Sequence, residues 1–187
     1  MDSGLSNRTP DQLPMGSPNE LTVLYRAEFP YVWNVLFRLG LSGPEREDMA
    51  QEAFAAAFKQ WSSYDRKRPL KPWLFGICYR LVRDYRRKHQ HRFEREALDE
   101  KLPEHAPNAE DAAVRRQGLK LVELALREMD LDKRAVFVMH EIEGHPMPVV
   151  AEELNVPLNT AYSRLRLARK DFNQFVARLH QSQGAPP

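Results

Sequence analysis

From Leu21 onward the apolar positions of the chain recur at spacings of three and four, the period of a helix with one buried face. The first such stretch runs from Leu21 to Leu39 and stops at Gly40, a residue that ends helices readily. Pro30 lies inside it and is expected to split or kink the segment. Ser42-x-x-Glu45 has the pattern of a capping box, with Pro44 in the first turn. It predicts a second helix over 44–61, with Met49, Ala53, Phe54, Ala57, Phe58 and Trp61 turned inward. The polar run 62–69 breaks the period. A third helix is expected from Pro72, carrying Trp73, Leu74, Ile77, Cys78, Leu81 and Tyr85 on its inner side. Convincing alternation with a period of two is absent, so the expected fold class is all-α.

The second half predicts four more helical stretches, near 112–129, 132–143, 147–154 and 158–179. Between the halves, residues 94–111 hold seven acids, two bases, Pro103 and Pro107, the composition of a flexible acidic linker. Pro, Gly, Ser and Asn crowd residues 1–18 and mark a disordered tail, and 181–187 read the same way. The expected organisation is a tail (1–18), a helical domain (19–93), the linker (94–111), a second helical domain (112–180) and a short end (181–187). Domains this small bury modest cores, so docking on each other or on a large partner would add stability.

Composition changes this picture little. The chain has 187 residues, 42% of them hydrophobic, and 28 Lys and Arg stand against 26 Asp and Glu, a net charge of only +2. Where charge lies therefore matters more than its sum. No run reaches the ~18–20 apolar residues of a membrane span. The first twenty residues lack a signal-peptide core, which predicts a cytoplasmic protein with no membrane insertion. The single Cys78, on an apolar face, excludes an internal disulfide framework and a multi-Cys zinc site. Six histidines are scattered, and His140-Glu141 lacks a second His at metal-ligand offset. No catalytic residue, metal site, cofactor or small-molecule substrate is indicated, and an enzyme is not expected.

Three local patterns carry chemistry. The sharpest runs from Met147 to Lys170: a short helix, the turn Asn155-Val156-Pro157 and a longer helix, with small Ala151 where the two would cross. This is a helix-turn-helix pattern. In the second helix Leu158, Ala161, Leu165, Ala168 and Phe172 share one side. Asn159, Tyr162, Ser163, Arg166, Arg169 and Lys170 share the other, with Arg164 at the flank. Such side chains bond base edges and phosphates from the major groove, although a solvated basic hairpin would show the same pattern. The second is the end of the third helix: Arg80, Arg83, Arg86, Arg87, Lys88 and Arg92, with His89 and His91 interleaved and only Asp84 opposing. That density suits a phosphate backbone, and Tyr64, beside Arg66-Lys67-Arg68 in a loop, could stack an unpaired base. A solvated helix end would also favour these cations. The third is a polar stripe of Asp48, Gln51, Glu52 and Ala55, which alone reads as an ordinary exposed face.

Taken in order, Asp48-x-x-Gln51-Glu52-x-Phe54, the Trp73-Leu74 helix with its arginine end, Glu143-Gly144, Ala151-Glu152-x-Leu154, Val156-Pro157-Leu158-x-Thr160 and Ser163-Arg164-Leu165-x-x-Ala168-Arg169 resemble bacterial sigma factors of the sigma-70 family, in the extracytoplasmic-function group. The resemblance spans about 20 to 179. It implies that Asp48, Gln51 and Glu52 dock on the β′ clamp of core RNA polymerase, with a further contact of the protein on the β flap. It implies −10 promoter contacts from Tyr64, Arg66, Lys67, Arg80, Arg83, Arg86, Arg87 and Lys88. It implies −35 contacts from Asn159, Thr160, Tyr162, Ser163, Arg164, Arg166, Arg169 and Lys170. A regulating anti-sigma factor is a further implied partner. The alternative of another class is a sigma-like decoy that sequesters such a factor without binding promoters. This chain departs from the family pattern at Pro146, Pro148-Val149, Asn155, Asn159, Ala161 and Leu167, which bears on promoter sequence.

Overall fold

A computed structural model describes residues 18–89 and 111–183, with side chains over 20–89 and 118–181. The chain ends 1–17 and 184–187, His91, Arg92 and all of the expected linker but Asp111 lie outside the described residues. Among the described residues the chain forms seven α-helices and no strand. They are α1 (Pro18–Arg38), α2 (Gly43–Gln60), α3 (Leu70–Lys88), α4 (Asp111–Glu128), α5 (Leu131–Phe137), α6 (Met147–Glu153) and α7 (Leu158–Gln183). A 3₁₀ turn at Trp61–Ser63 follows α2, and a π turn at Val138–Ile142 continues α5.

Several local expectations change. Helix α1 runs unbroken through Pro30. Pro30 is exposed there, so the carbonyl its missing N–H leaves unpaired is close to solvent. Ser42 makes no side-chain cap. The expected capping box fails because Glu45 is taken by a tertiary partner, accepting from the Tyr85 hydroxyl of α3 at 2.9 Å. Helix α3 begins at Leu70, two residues before Pro72. Helix α5 starts at Leu131, capped by Asp130, whose carboxylate accepts from the Lys133 backbone N–H at 2.9 Å. At the ends, α1 already includes Pro18 and α7 reaches Gln183.

Helices α1, α2 and α3 pack on one another, and α7 packs against α4, α5 and α6. The two groups share one continuous core. It extends from Leu24, Val35 and Leu36 of α1 through Phe75 and Cys78 of α3 to Met139, Val150 and Leu165. Helix α3 lies against α6, so the modest cores anticipated for separate domains are joined. Polar groups stitch the same boundary. The Tyr31 hydroxyl donates to Glu143 at 2.8 Å, and Arg38 lies 3.5 Å from the same carboxylate. Arg134, only 3% exposed, donates to the backbone carbonyls of Leu39, Arg127 and Met129 at 3.0, 3.0 and 2.9 Å. Burial, then the nearby Arg86 and Arg127, push its guanidinium down to about 9, which leaves it a cation at neutral pH.

Candidate nucleic-acid interface

The helix-turn-helix is built by backbone geometry. Helix α6 is capped by Leu154, and Asn155 turns the chain with φ +52, a left-handed conformation that asparagine tolerates better than most residues. The Val156 N–H then bonds the Ala151 carbonyl at 2.9 Å. Val150, Ala151 and Leu154 of α6 and Ala161, Leu165 and Ala168 of α7 are buried between the helices. The small side chains allow that crossing. The opposite side of α7 exposes Asn159, Ser163, Arg166 and Lys170, with Tyr162 52% exposed and Thr160 half-buried. Arg164 and Arg169 are directed elsewhere. Arg164 pairs with Asp132 and Arg169 with Glu141, the latter at 2.6 Å.

The cations of α3 and the loop before it divide in two. Lys67, Arg83, Arg87 and Lys88 are exposed, Arg83 lying 5.6 Å from the centre of the Tyr79 ring and Arg87 lying 3.6 Å from Asp84. Others are drawn into the molecule. Arg66 pairs with buried Glu20 and lies over Trp61. Arg80 donates to the Glu153 backbone carbonyl at 3.3 Å, and Arg86 to the Leu39 carbonyl at 2.9 Å. Burial lowers the pKa of both guanidiniums. Tyr64 is no open platform: its ring stacks 5.4 Å from Trp61 and packs 4.5 Å from Trp73, and its hydroxyl donates to the Arg68 carbonyl at 2.6 Å. On α2 the stripe Asp48, Gln51, Glu52 and Ala55 is exposed, while Met49, Ala50, Ala53 and Phe54 face the core.

Residues outside the expected set meet at the boundary of the two helical groups. Arg68 pairs with Glu152 at 3.1 Å and with Glu153. Tyr79 donates to Asp132 at 2.7 Å; burial and this bond push its phenol up to about 12. Burial also raises the carboxyls of Glu143 and Glu153, against the pull of Tyr31, Arg38 and Lys71 on the first and of Arg68 and Arg80 on the second. One sequence signal for this cluster exists: Glu153 stands among Met147, Val150, Ala151 and Leu154 on the inner side of α6, where an acid calls for a partner.

Two family models cover most of the described chain, Sigma-70 region 2 over residues 24–92 and Sigma-70, region 4 over residues 119–172. The chain belongs to the sigma-70 family of sigma factors. Its relatives place it in the extracytoplasmic-function group: the ECF RNA polymerase sigma factor SigE of Mycolicibacterium smegmatis is 30% identical over 181 residues, 95% of this chain and 68% of that protein. Two solved structures share the fold. CnrH in complex with the cytosolic domain of CnrY superposes with a TM-score of 0.61 at 21% identity, over 87% of this chain and 91% of that one. The sigma factor RpoE in complex with the anti-sigma factor NepR, from Bartonella quintana, gives 0.62 at 20% identity, over 84% and 97%. As a sigma factor the protein serves promoter-directed initiation of transcription by RNA polymerase. Among the described residues no helix is long and apolar enough to cross a membrane, and no cluster of His, Cys, Asp and Glu could hold a metal ion.

Proposed function

We propose that this sigma factor binds the β′ clamp of core RNA polymerase through Asp48, Gln51 and Glu52 and reads a promoter at two places. Region 4 takes the −35 element with α7, and region 2 takes the opened −10 strand with α3 and the 62–69 loop. The observation that carries the reading is the outer side of α7. Asn159, Ser163, Arg166 and Lys170 stand there with no hydrogen bond or ion pair from their side chains among the described residues, one helical turn apart and next to Tyr162. Donors spaced in this way can meet successive base edges in a major groove. Arg164 and Arg169, tied to Asp132 and Glu141, suit phosphates at the edge of that contact if they exchange partners.

At −10, Lys67, Arg83, Arg87 and Lys88 supply an exposed positive track for a backbone, while Arg66, Arg80 and Arg86 act from within. Opening a duplex without nucleotide hydrolysis requires that an unstacked base be captured, because unstacking costs a few kcal/mol. Tyr64, in the same loop as Lys67, packs against Trp61 and Trp73, and Arg66 lies over Trp61, so this cluster would have to open to take such a base. The chain supplies binding and positioning; bond formation belongs to the polymerase. An anti-sigma factor in the cytoplasm is the regulator this reading includes, by analogy with the RpoE–NepR complex. The decoy alternative has no observation of its own. Run-off transcription with core polymerase and a promoter library tests the reading: a discrete set of promoters should give transcripts, and a folded chain that gives none sinks it.

A further inference from the structure

Glu20 stands in the first turn of α1 and is fully buried. The positive end of the helix dipole favours an acid there, but a glutamate is almost never fully buried unless it is paired. The 62–69 loop supplies the pair: Arg66 donates to the Glu20 carboxylate. The same guanidinium lies 5.6 Å from the centre of the Trp61 ring, within cation–π range. Tyr64 stacks on that ring, 5.4 Å away. One cation is therefore held by an acid of α1 and covers an aromatic ring of the cluster. Lys67, next in sequence, is exposed. A carboxylate and a phosphate offer a guanidinium the same paired oxygens, so either can hold Arg66.

We propose that the Glu20 carboxylate occupies at Arg66 the place of a strand phosphate, and that Arg66 exchanges one for the other when single-stranded DNA is taken. This rests on the −10 assignment above. The exchange adds a cation to the exposed track at Lys67. It also draws the guanidinium off Trp61, which begins the opening that a captured base requires. Glu20 is not left uncompensated, because the positive end of α1 stays beside it. Glu20 touches neither base nor phosphate. It is a positioning residue, and its charge sets how readily the loop takes a strand.

Glu20→Gln tests this, since it keeps the length of the side chain and an oxygen that accepts from Arg66 but removes the competing charge. For the full chain, anisotropy with a labelled single-stranded DNA should show affinity rising ~fivefold, the upper end of what one partly exposed ion pair contributes. The plot of log affinity against log salt should steepen by about 0.7, the increment of one further phosphate contact on a single strand. Introduced into an Arg66→Gln chain, Glu20→Gln should change neither quantity. Glu47→Gln, at an exposed acid of α2, should also change neither. Native helix content by circular dichroism with unchanged or lower affinity overturns the proposal, as does a gain that survives Arg66→Gln or that Glu47→Gln matches. Should Glu20→Gln disturb the helices, Glu20→Met, of similar length and without a charge to bury, decides on the same readouts. Run-off transcription keeps the two readings apart. If the wild-type chain gives no transcripts, the sigma activity fails; if it gives them while affinity and salt slope stay unchanged in Glu20→Gln, only the exchange at Arg66 falls.

Discussion

Exposure sets what a substitution on each proposed contact residue does. Glu52 is exposed on α2, where a surface change usually alters stability by no more than about 0.5 kcal/mol. Glu52→Lys should therefore abolish co-purification with core polymerase while shifting the melting temperature by less than about 2 °C; a large drop would make the residue structural. Arg166→Ala should relax −35 base preference by about 1–3 kcal/mol, read by competition among single-base promoter variants, if it holds a base edge. Equal weakening on every sequence would make it a phosphate contact. Glu143 allows a pH test. Tyr31, Arg38, Lys71 and His145 face it, and burial lifts its carboxyl above the ordinary range. A raised carboxyl contributes stability in full at pH below its ordinary value and loses it as pH climbs through the raised one. Glu143→Gln keeps an acceptor for the Tyr31 hydroxyl and does not titrate. Its melting temperature should thus gain on wild type from pH 4 to 7, and a constant difference across that range would refute the assignment.

Helices were the most legible level, because a period of 3.6 needs only one buried side to be visible. All seven stand where the apolar spacing places them, give or take a few residues. The errors cluster at ends and at Pro30, where partners from other helices intervene. Glu45 pairs with Tyr85 in place of the Ser42 box, and Asp130 caps α5. Pro30→Ala should stabilise α1 by roughly 1–3 kcal/mol, since alanine restores the missing N–H and the proline ring is exposed. Thermal unfolding measures this, and a loss of stability would show that the ring packs usefully. In the helix-turn-helix, Asn155→Val should cost about 1–2 kcal/mol, because φ +52 crowds a β-branched side chain.

For the whole molecule the question is how regions 2 and 4 sit together. Their contact mixes apolar core with half-exposed ion pairs such as Arg68–Glu152. Salt weakens the second kind: the screening length falls from ~10 Å at 0.1 M to ~3 Å at 1 M. The radius of gyration of the wild-type chain should accordingly grow across that range, and an unchanged radius would mean that apolar packing alone holds the regions together. The same contact explains why site residues were only partly legible. Arg66, Arg80, Arg86 and Arg164 share the sequence pattern of Arg83 and Arg166, and only tertiary neighbours tell inward cations from outward ones.

Local information decided that this chain is helical, where its helices lie, that it carries a helix-turn-helix and which stretches are cationic. Each of those properties depends on residues a few positions apart, within reach of backbone sterics and helical period. Tertiary structure alone decided that Arg86 turns in to the Leu39 carbonyl, that Glu153 meets Arg68, and that Gly76 makes room for a carbonyl from the other region. Those partners are separated by many residues along the chain, and no local spacing encodes a contact that arises only when two helical groups close over one core.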